Sequence, residues 1–199
     1  MTAALPTKAR TYFDQRINCE TVFVLPGHHY VQSSGVGAIC TLLGSCVAAC
    51  ICDPDRSIGG LNHFLLPEGS ALQSNVNNAR YGVYAMELLI NDLIKNGAQK
   101  SRLVAKVFGG ANVISSAVAG SIGAQNGKFV KSYLQSESIP VLAEDLGGDK
   151  ARRVYFFPST GRVSVLALTS SINFELERKE RLLQERATET AKGGGVELF

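Results

Sequence analysis

The sequence predicts an α+β domain built on a mixed, mainly antiparallel sheet, and three observations carry that prediction. Short apolar runs bounded by Gly, Pro, Asn and Asp recur toward both ends of the chain, which is strand patterning. Between them lies a stretch with apolar residues at Met86, Leu89, Ile90, Leu93 and Ile94, the stripe of an amphipathic helix. The 199 residues, 45% hydrophobic and 19% charged, suit one core of ordinary size that needs no covalent staple.

Composition also excludes function classes. A net charge of +3 without a basic run gives no electrostatic footprint for nucleic acid. No apolar run approaches a membrane span, and the first residues lack a charged segment followed by an apolar one, so no membrane insertion and a cytoplasmic location are expected. Five cysteines are an odd number, and four crowd between positions 40 and 52, which suits a reducing compartment better than a disulfide framework.

The elements follow in order. Residues 1–20 read as a polar, irregular segment with Tyr12 and Phe13 as its anchors. Residues 22–25 form a short strand stopped by Pro26-Gly27; His28 and His29 come next, and adjacent histidines on a strand face opposite ways, so they read as a solvated turn and not as a metal pair. Residues 35–43 form a strand that enters the Gly44-Ser45 turn. The apolar run from Cys46 to Cys52 then meets turn residues at Asp53-Pro54-Asp55 and Gly59-Gly60. A second apolar run containing His63 returns beside the first as its antiparallel neighbour. A polar loop over 68–78 precedes the helix, which Asn77 or Asn78 caps and Lys95 and Gly97 close. Residues 102–108 form a strand that ends in Gly109-Gly110-Ala111, with no Lys-Ser, Lys-Thr or GxGxxG to make it a phosphate cradle. Residues 112–120 read as short helix or loop.

A second helix spans 122–137, with Gly123 and Gly127 weakening its first half. Three strands follow at 139–143, 153–157 and 162–168, the first two joined by a turn from Asp145 to Asp149 and the last two by Ser159-Thr160-Gly161. Arg152, Arg153 and Arg162 around this hairpin are either solvated, paired on a surface, or a partner-docking edge. From Phe174 to Lys192 a mixed-charge helix is expected, then a triglycine, then Val196-Glu197-Leu198-Phe199, either a tethered docking peptide or a frayed end. The chain thus divides into an N-terminal segment (1–20), a catalytic-type domain (21–172) and a charged tail (173–199).

Chemistry concentrates at Cys46. It follows Gly44-Ser45, where the backbone turns tightly and its amides can point at an anion, making them oxyanion-hole candidates. Pairing of the two apolar runs brings Cys46 near His63, the base a cysteine nucleophile needs to become thiolate. Bland readings compete: Cys50 and Cys52 suit core packing, and His63, flanked by Leu61 and Phe64, suits a core histidine. Cys46, Cys50 and Cys52 share one strand face, yet three ligands from one extended strand rarely converge on an ion, and no CxxC pair is present.

The segment Leu43-Gly44-Ser45-Cys46-Val47-Ala48, followed by Gly60-Leu61-Asn62-His63-Phe64-Leu65-Leu66-Pro67, resembles the CheD family of bacterial chemoreceptor glutamine deamidases. So do Ala79-Arg80-Tyr81-Gly82, Lys106-Val107-Phe108-Gly109-Gly110-Ala111, Asp145-Leu146-Gly147-Gly148 and Phe156-Phe157-Pro158-Ser159-Thr160-Gly161-Arg162-Val163. The resemblance implies a three-layered domain with a core shared by deamidating toxins of the cytotoxic necrotizing factor type. It implies deamidation of glutamine side chains on methyl-accepting chemotaxis receptors by Cys46 and His63, without metal or organic cofactor, and in some members hydrolysis of glutamyl methyl esters. A threonine upstream of the cysteine is the implied third catalytic residue. Thr41 is the nearest match, with the register against Cys40 left open. Amides of Gly44, Ser45 and Val47 would serve the oxyanion, and Asn62, Gly109 and Gly110 would line the cleft, the glycines by close backbone approach. A CheC-type phosphatase is a second implied partner, so a non-catalytic adaptor that binds receptors or that phosphatase through the same cleft is the competing reading. A cysteine peptidase is disfavoured, since nothing suggests a long substrate groove.

Overall fold

A computed structural model describes residues 10–35, 37–65, 75–112 and 122–168. Strands β1 (Arg10–Asp14), β2 (Cys19–Phe23), β3 (His29–Gln32), β4 (Ala38–Leu43), β5 (Val47–Asp53) and β6 (Ile58–Asn62) precede helix α1 (Asn75–Lys95). Strand β7 (Val104–Gly109), helix α2 (Ile122–Ser136) and strands β8 (Val141–Leu146), β9 (Arg152–Phe157) and β10 (Arg162–Ala167) follow.

The strands form two five-stranded sheets, where the sequence suggested one. The first runs β1-β2-β4-β9-β10 and the second β3-β6-β5-β7-β8. Only β2 with β4 and β7 with β8 run parallel, so each sheet is mixed and mainly antiparallel. The division arises at turns that read as ordinary reversals in sequence. The chain crosses between sheets at Pro26-Gly27, between β3 and β4, at Gly44-Ser45 and at Gly147-Gly148, where Gly27, Gly147 and Gly148 hold φ of 78°, 80° and 77°. Those values lie in the left-handed region that glycine enters without strain.

The two described helices both cover the second sheet: α1 lies on β3, β5 and β6, and α2 on β5, β7 and β8. The layers are therefore sheet, sheet and helices, and β5 is central to both interfaces. Val47, Ala49 and Ile51 pack with Met86, Leu89 and Leu93 of α1. Ala48, Cys50 and Cys52 pack with Ile39, Leu43 and Phe156 of the first sheet. A strand covered on both faces needs an unbroken apolar run, which explains the sequence from Val47 to Cys52. Burial of leucines such as Leu89 and Leu93 is worth roughly 1.5–3 kcal/mol each, so the α1 stripe is a main anchor of the helical layer. Ile94, counted in that stripe, is 40% exposed and sits at its margin.

Several local expectations change. The segment expected to be irregular carries β1, which pairs with β2 around a turn in which Asn18 adopts φ 51°. Tyr12 and Tyr155 both donate to the buried Asp14 carboxylate, at 3.1 and 2.9 Å. His28 is exposed, but His29 opens β3 and its Nε2 lies 2.7 Å from Asp92 of α1. Helix α1 begins at Asn75, ahead of the expected Asn77 or Asn78 cap. Arg152 is buried, not solvated: it pairs with the Asp145 carboxylate at 2.6 Å and donates to the Gly147 carbonyl, fixing that sheet-crossing turn. No described helix is long and apolar enough to cross a membrane. The loop before α1, the segment 112–120, the charged helix and the triglycine tail lie wholly or mostly outside the described residues.

Candidate active site

The turn that carries the chain from β4 in one sheet to β5 in the other is held from behind through three successive carbonyls. Gly44 C=O accepts from the Ala111 amide at 2.7 Å, Ser45 C=O from Asn126 Nδ2 at 2.9 Å, and Cys46 C=O from the Gly110 amide at 2.7 Å. Gly109, at φ 111°, abuts the Cys46 carbonyl so closely that a Cβ there would overlap it. Gly110 and Gly123 touch backbone to backbone in the same way, which lets α2 approach the turn. The glycine pair at the end of β7 therefore supports the turn from behind.

Cys46 is fully buried at the mouth of β5. Beyond β6, Val47 and Phe64 exchange both main-chain hydrogen bonds at 3.0 Å, continuing the register in which Cys50 faces Leu61. That register sets Ala48 opposite His63 and makes Cys46 and His63 diagonal neighbours on the face toward the first sheet, a separation of about 7–8 Å or less between Cβ atoms. The His63 main chain is pinned as well: its amide donates to His28 C=O at 2.9 Å, and its carbonyl accepts from the Gly27 amide at 2.8 Å.

The imidazole meets the other sheet. On β4, alternation sends Ile39, Thr41 and Leu43 toward the second sheet and Cys40 to the opposite face. Thr41 Oγ1 donates to Val24 C=O at 2.8 Å, so its lone pair accepts from His63 Nδ1 at 2.7 Å. A hydroxyl has one proton; with that proton on a carbonyl, His63 must carry its own on Nδ1, leaving a lone pair on Nε2. His63 Nε2 is buried and has no hydrogen-bond partner among the described residues. Burial drives the His63 pKa from 6.5 down to about 3, opposed by the Val24 carbonyl and assisted by the charge of His28. The imidazole is thus a neutral, oriented base at neutral pH.

All five cysteines are thiols. Burial pushes the Cys40 thiol up to about 11 and raises those of Cys50 and Cys52 as well, which disfavours each as a nucleophile. Cys50 and Cys52 do share the Cys46 face, and they pack in the core between the sheets.

Two expected site residues are elsewhere engaged. The Val47 amide is committed to the Phe64 carbonyl and is not offered to an oxyanion. Asn62 faces the helical layer, opposite to His63: its Oδ1 accepts from the Ala49 amide at 3.0 Å, and its Nδ2 donates to Ala85 C=O at 3.1 Å. One residue escaped the sequence reading. Asn126 sits in the buried stripe of α2 with Gly123, Gly127, Val130 and Leu134, and a polar residue in such a stripe was the available signal.

Residues 65–167 match the family model described as CheD chemotactic sensory transduction. A Methylobacillus flagellatus protein named probable chemoreceptor glutamine deamidase CheD is 48% identical over 191 residues, covering 94% of each chain. A protein of the same name from Stenotrophomonas maltophilia K279a is 46% identical over 200 residues, the full length of both. Among solved structures, a Neisseria meningitidis protein of family-model DUF152 covers 70% of this chain and 63% of its own, at 13% identity and a TM-score of 0.39. A likeness that slight carries no argument.

Proposed function

The chain belongs to the CheD family, and from that premise we propose that it deamidates glutamine side chains of methyl-accepting chemoreceptors in the cytoplasm, with Cys46 as nucleophile and His63 as base. The observation that carries the assignment of residues is the hydrogen-bonded line from Val24 C=O through Thr41 to His63, which leaves Nε2 on the face that Cys46 shares.

The chemistry follows from the proton inventory. Because His63 is neutral, no standing imidazolium holds a thiolate; Nε2 takes the Cys46 proton as sulfur attacks the carboxamide carbon. The carbonyl electron pair moves onto oxygen, an oxyanion that donors at the Gly44–Cys46 turn would stabilise. Collapse of the tetrahedral adduct breaks the C–N bond while the imidazolium returns its proton to departing ammonia. The thioester left on Cys46 is then attacked by water, whose proton goes to the same Nε2. Expulsion of the sulfur, which recovers that proton, yields glutamate and regenerates the thiol. A glutamyl methyl ester gives the same acyl-enzyme with methanol as leaving group, so ester hydrolysis from this site is chemically natural. Thr41 orients the ring and keeps the tautomer, with less support for the transient imidazolium than a carboxylate would give.

Mass spectrometry of a receptor fragment incubated with the protein tests the reading. Individual glutamines should gain the mass of amide-to-acid conversion, and the Cys46→Ala and His63→Ala proteins should leave them intact. Conversion that persists in Cys46→Ala would overturn the assignment, and unmodified glutamines with tight receptor binding would leave an adaptor.

A further inference from the structure

We propose that Asn62 is a positioning residue for this deamidation: its side-chain oxygen replaces a rung of the β5–β6 ladder and so sets the gap across which Cys46 and His63 face each other. The proposal rests on the reading of those two residues as nucleophile and base. In an antiparallel pair, residues that exchange two main-chain hydrogen bonds alternate with residues that exchange none. Val47 and Phe64 exchange both. In that register Ala48 and His63 form the next, non-bonded pair, and Ala49 and Asn62 the one after, which should again exchange two. They do not. The ladder runs from Asp53 with Ile58 to Cys50 with Leu61 and resumes at the isolated bridge of Val47 with Phe64. At the gap, the Ala49 amide donates to Asn62 Oδ1 at 3.0 Å.

The orientation of the carboxamide is fixed by its partners. Its Nδ2 donates to Ala85 C=O at 3.1 Å and to Met86 Sδ at 3.3 Å, both on α1 and both acceptors, while the Ala49 amide is a donor and takes Oδ1. Asn62 is 1% exposed, and a carboxamide so deeply buried is costly unless its bonds are made. The side chain thus ties β5, β6 and α1 together one residue before the base. Because Oδ1 reaches out from the backbone, β6 need not approach Ala49 as closely as a main-chain rung would require. His63 follows directly, and its own main chain bonds on the other side of β6, to Gly27 and His28. The Asn62 side chain therefore governs how far from β5 the imidazole starts. Reaction geometry is sharp at this point, since a misplacement of about 1 Å can cost on the order of a hundredfold in rate.

The test separates the acceptor from the rest of the side chain. Asn62→Leu has similar size and no polar atom, so the Ala49 amide can close the rung on the main-chain carbonyl of residue 62; replacing a polar group by an apolar one of similar shape also limits the loss of stability. Asn62→Asp keeps an acceptor for Ala49 and, when ionised, loses the donors to α1. On a receptor fragment, kcat of Asn62→Leu should fall about ten- to a hundredfold with KM within about threefold, whereas Asn62→Asp should keep kcat within about threefold of wild type. Met86→Leu removes the sulfur acceptor on α1, leaves Oδ1 in place and should keep kcat equally well; it decides in place of Asn62→Asp if the buried carboxylate prevents folding. Wild-type kcat in a folded Asn62→Leu protein refutes the proposal. So does an acceptor-retaining variant as slow as Asn62→Leu, because the tie to α1 would then be what matters. Failure of Asn62→Leu to fold refutes it as well, since the side chain would then hold the fold and not the gap. Cys46→Ala is the control for the underlying reading: if it still deamidates, that reading fails, whatever the Asn62 variants do.

Discussion

Acidification from pH about 7 to about 5 should destabilise this protein through His63, and the size of the effect follows from its burial. In the unfolded chain the imidazole has the ordinary pKa of 6.5; in the folded chain burial holds it near 3. Between those values the unfolded state binds the extra proton, so stability is complete above 6.5 and is lost progressively as pH falls toward 3. At roughly 1.4 kcal/mol per pH unit once the unfolded imidazole is protonated, the step from pH about 7 to about 5 removes roughly 2 kcal/mol. Carboxylates enter later: Asp53, held down to about 2 chiefly by its hydrogen bonds from Arg102, titrates below this window. Urea unfolding at the two pH values, on wild type and on His63→Gln, isolates the histidine. The glutamine carboxamide has no titration. Wild type should lose about 2 kcal/mol more than the variant over the interval, with equal m-values. Equal losses would mean that His63 protonates in place, and the neutral-base mechanism would fall with it.

Three further outcomes are expected. Thr41→Val should lower turnover by about ten- to a hundredfold, the scale of removing a histidine's orienting partner, while Thr41→Ser restores most of it; wild-type rates in Thr41→Val would move the role to the Val24 carbonyl. Gly109→Ala should abolish activity and lower the melting temperature, because its Cβ collides with the Cys46 carbonyl at a left-handed φ of 111°; a fully active, equally stable variant would contradict the packing behind the turn. Asp53→Asn should lower stability at neutral pH and lose less than wild type on acidification. The folded carboxylate lies below its unfolded value of 3.8, so its contribution is present above that pH and lost as pH falls toward 2, and the variant's deficit should shrink over that range in acid titrations followed by circular dichroism.

What the sequence determined by itself was local. The stripe from Met86 to Leu93 marks α1, and the unbroken apolar run of β5 with its turn residues predicts the β5–β6 pairing that makes Cys46 and His63 neighbours. Period-two alternation also sets Asn62 and His63 on opposite faces, a consequence available from sequence that the expected cleft list overlooked. Tertiary structure decided whatever depends on one sheet meeting the other. Thr41 reaches His63 only because β4 and β6 belong to different sheets packed face to face, and β4's outward face removes Cys40 from contention. Asn126 reaches Ser45 because two glycines let a helix lie against a strand end, and that contact joins residues far apart in the chain. The depressed His63 pKa belongs to the same class. Periodicity places a residue on a face, whereas the water it loses there depends on how completely the opposing layer covers it.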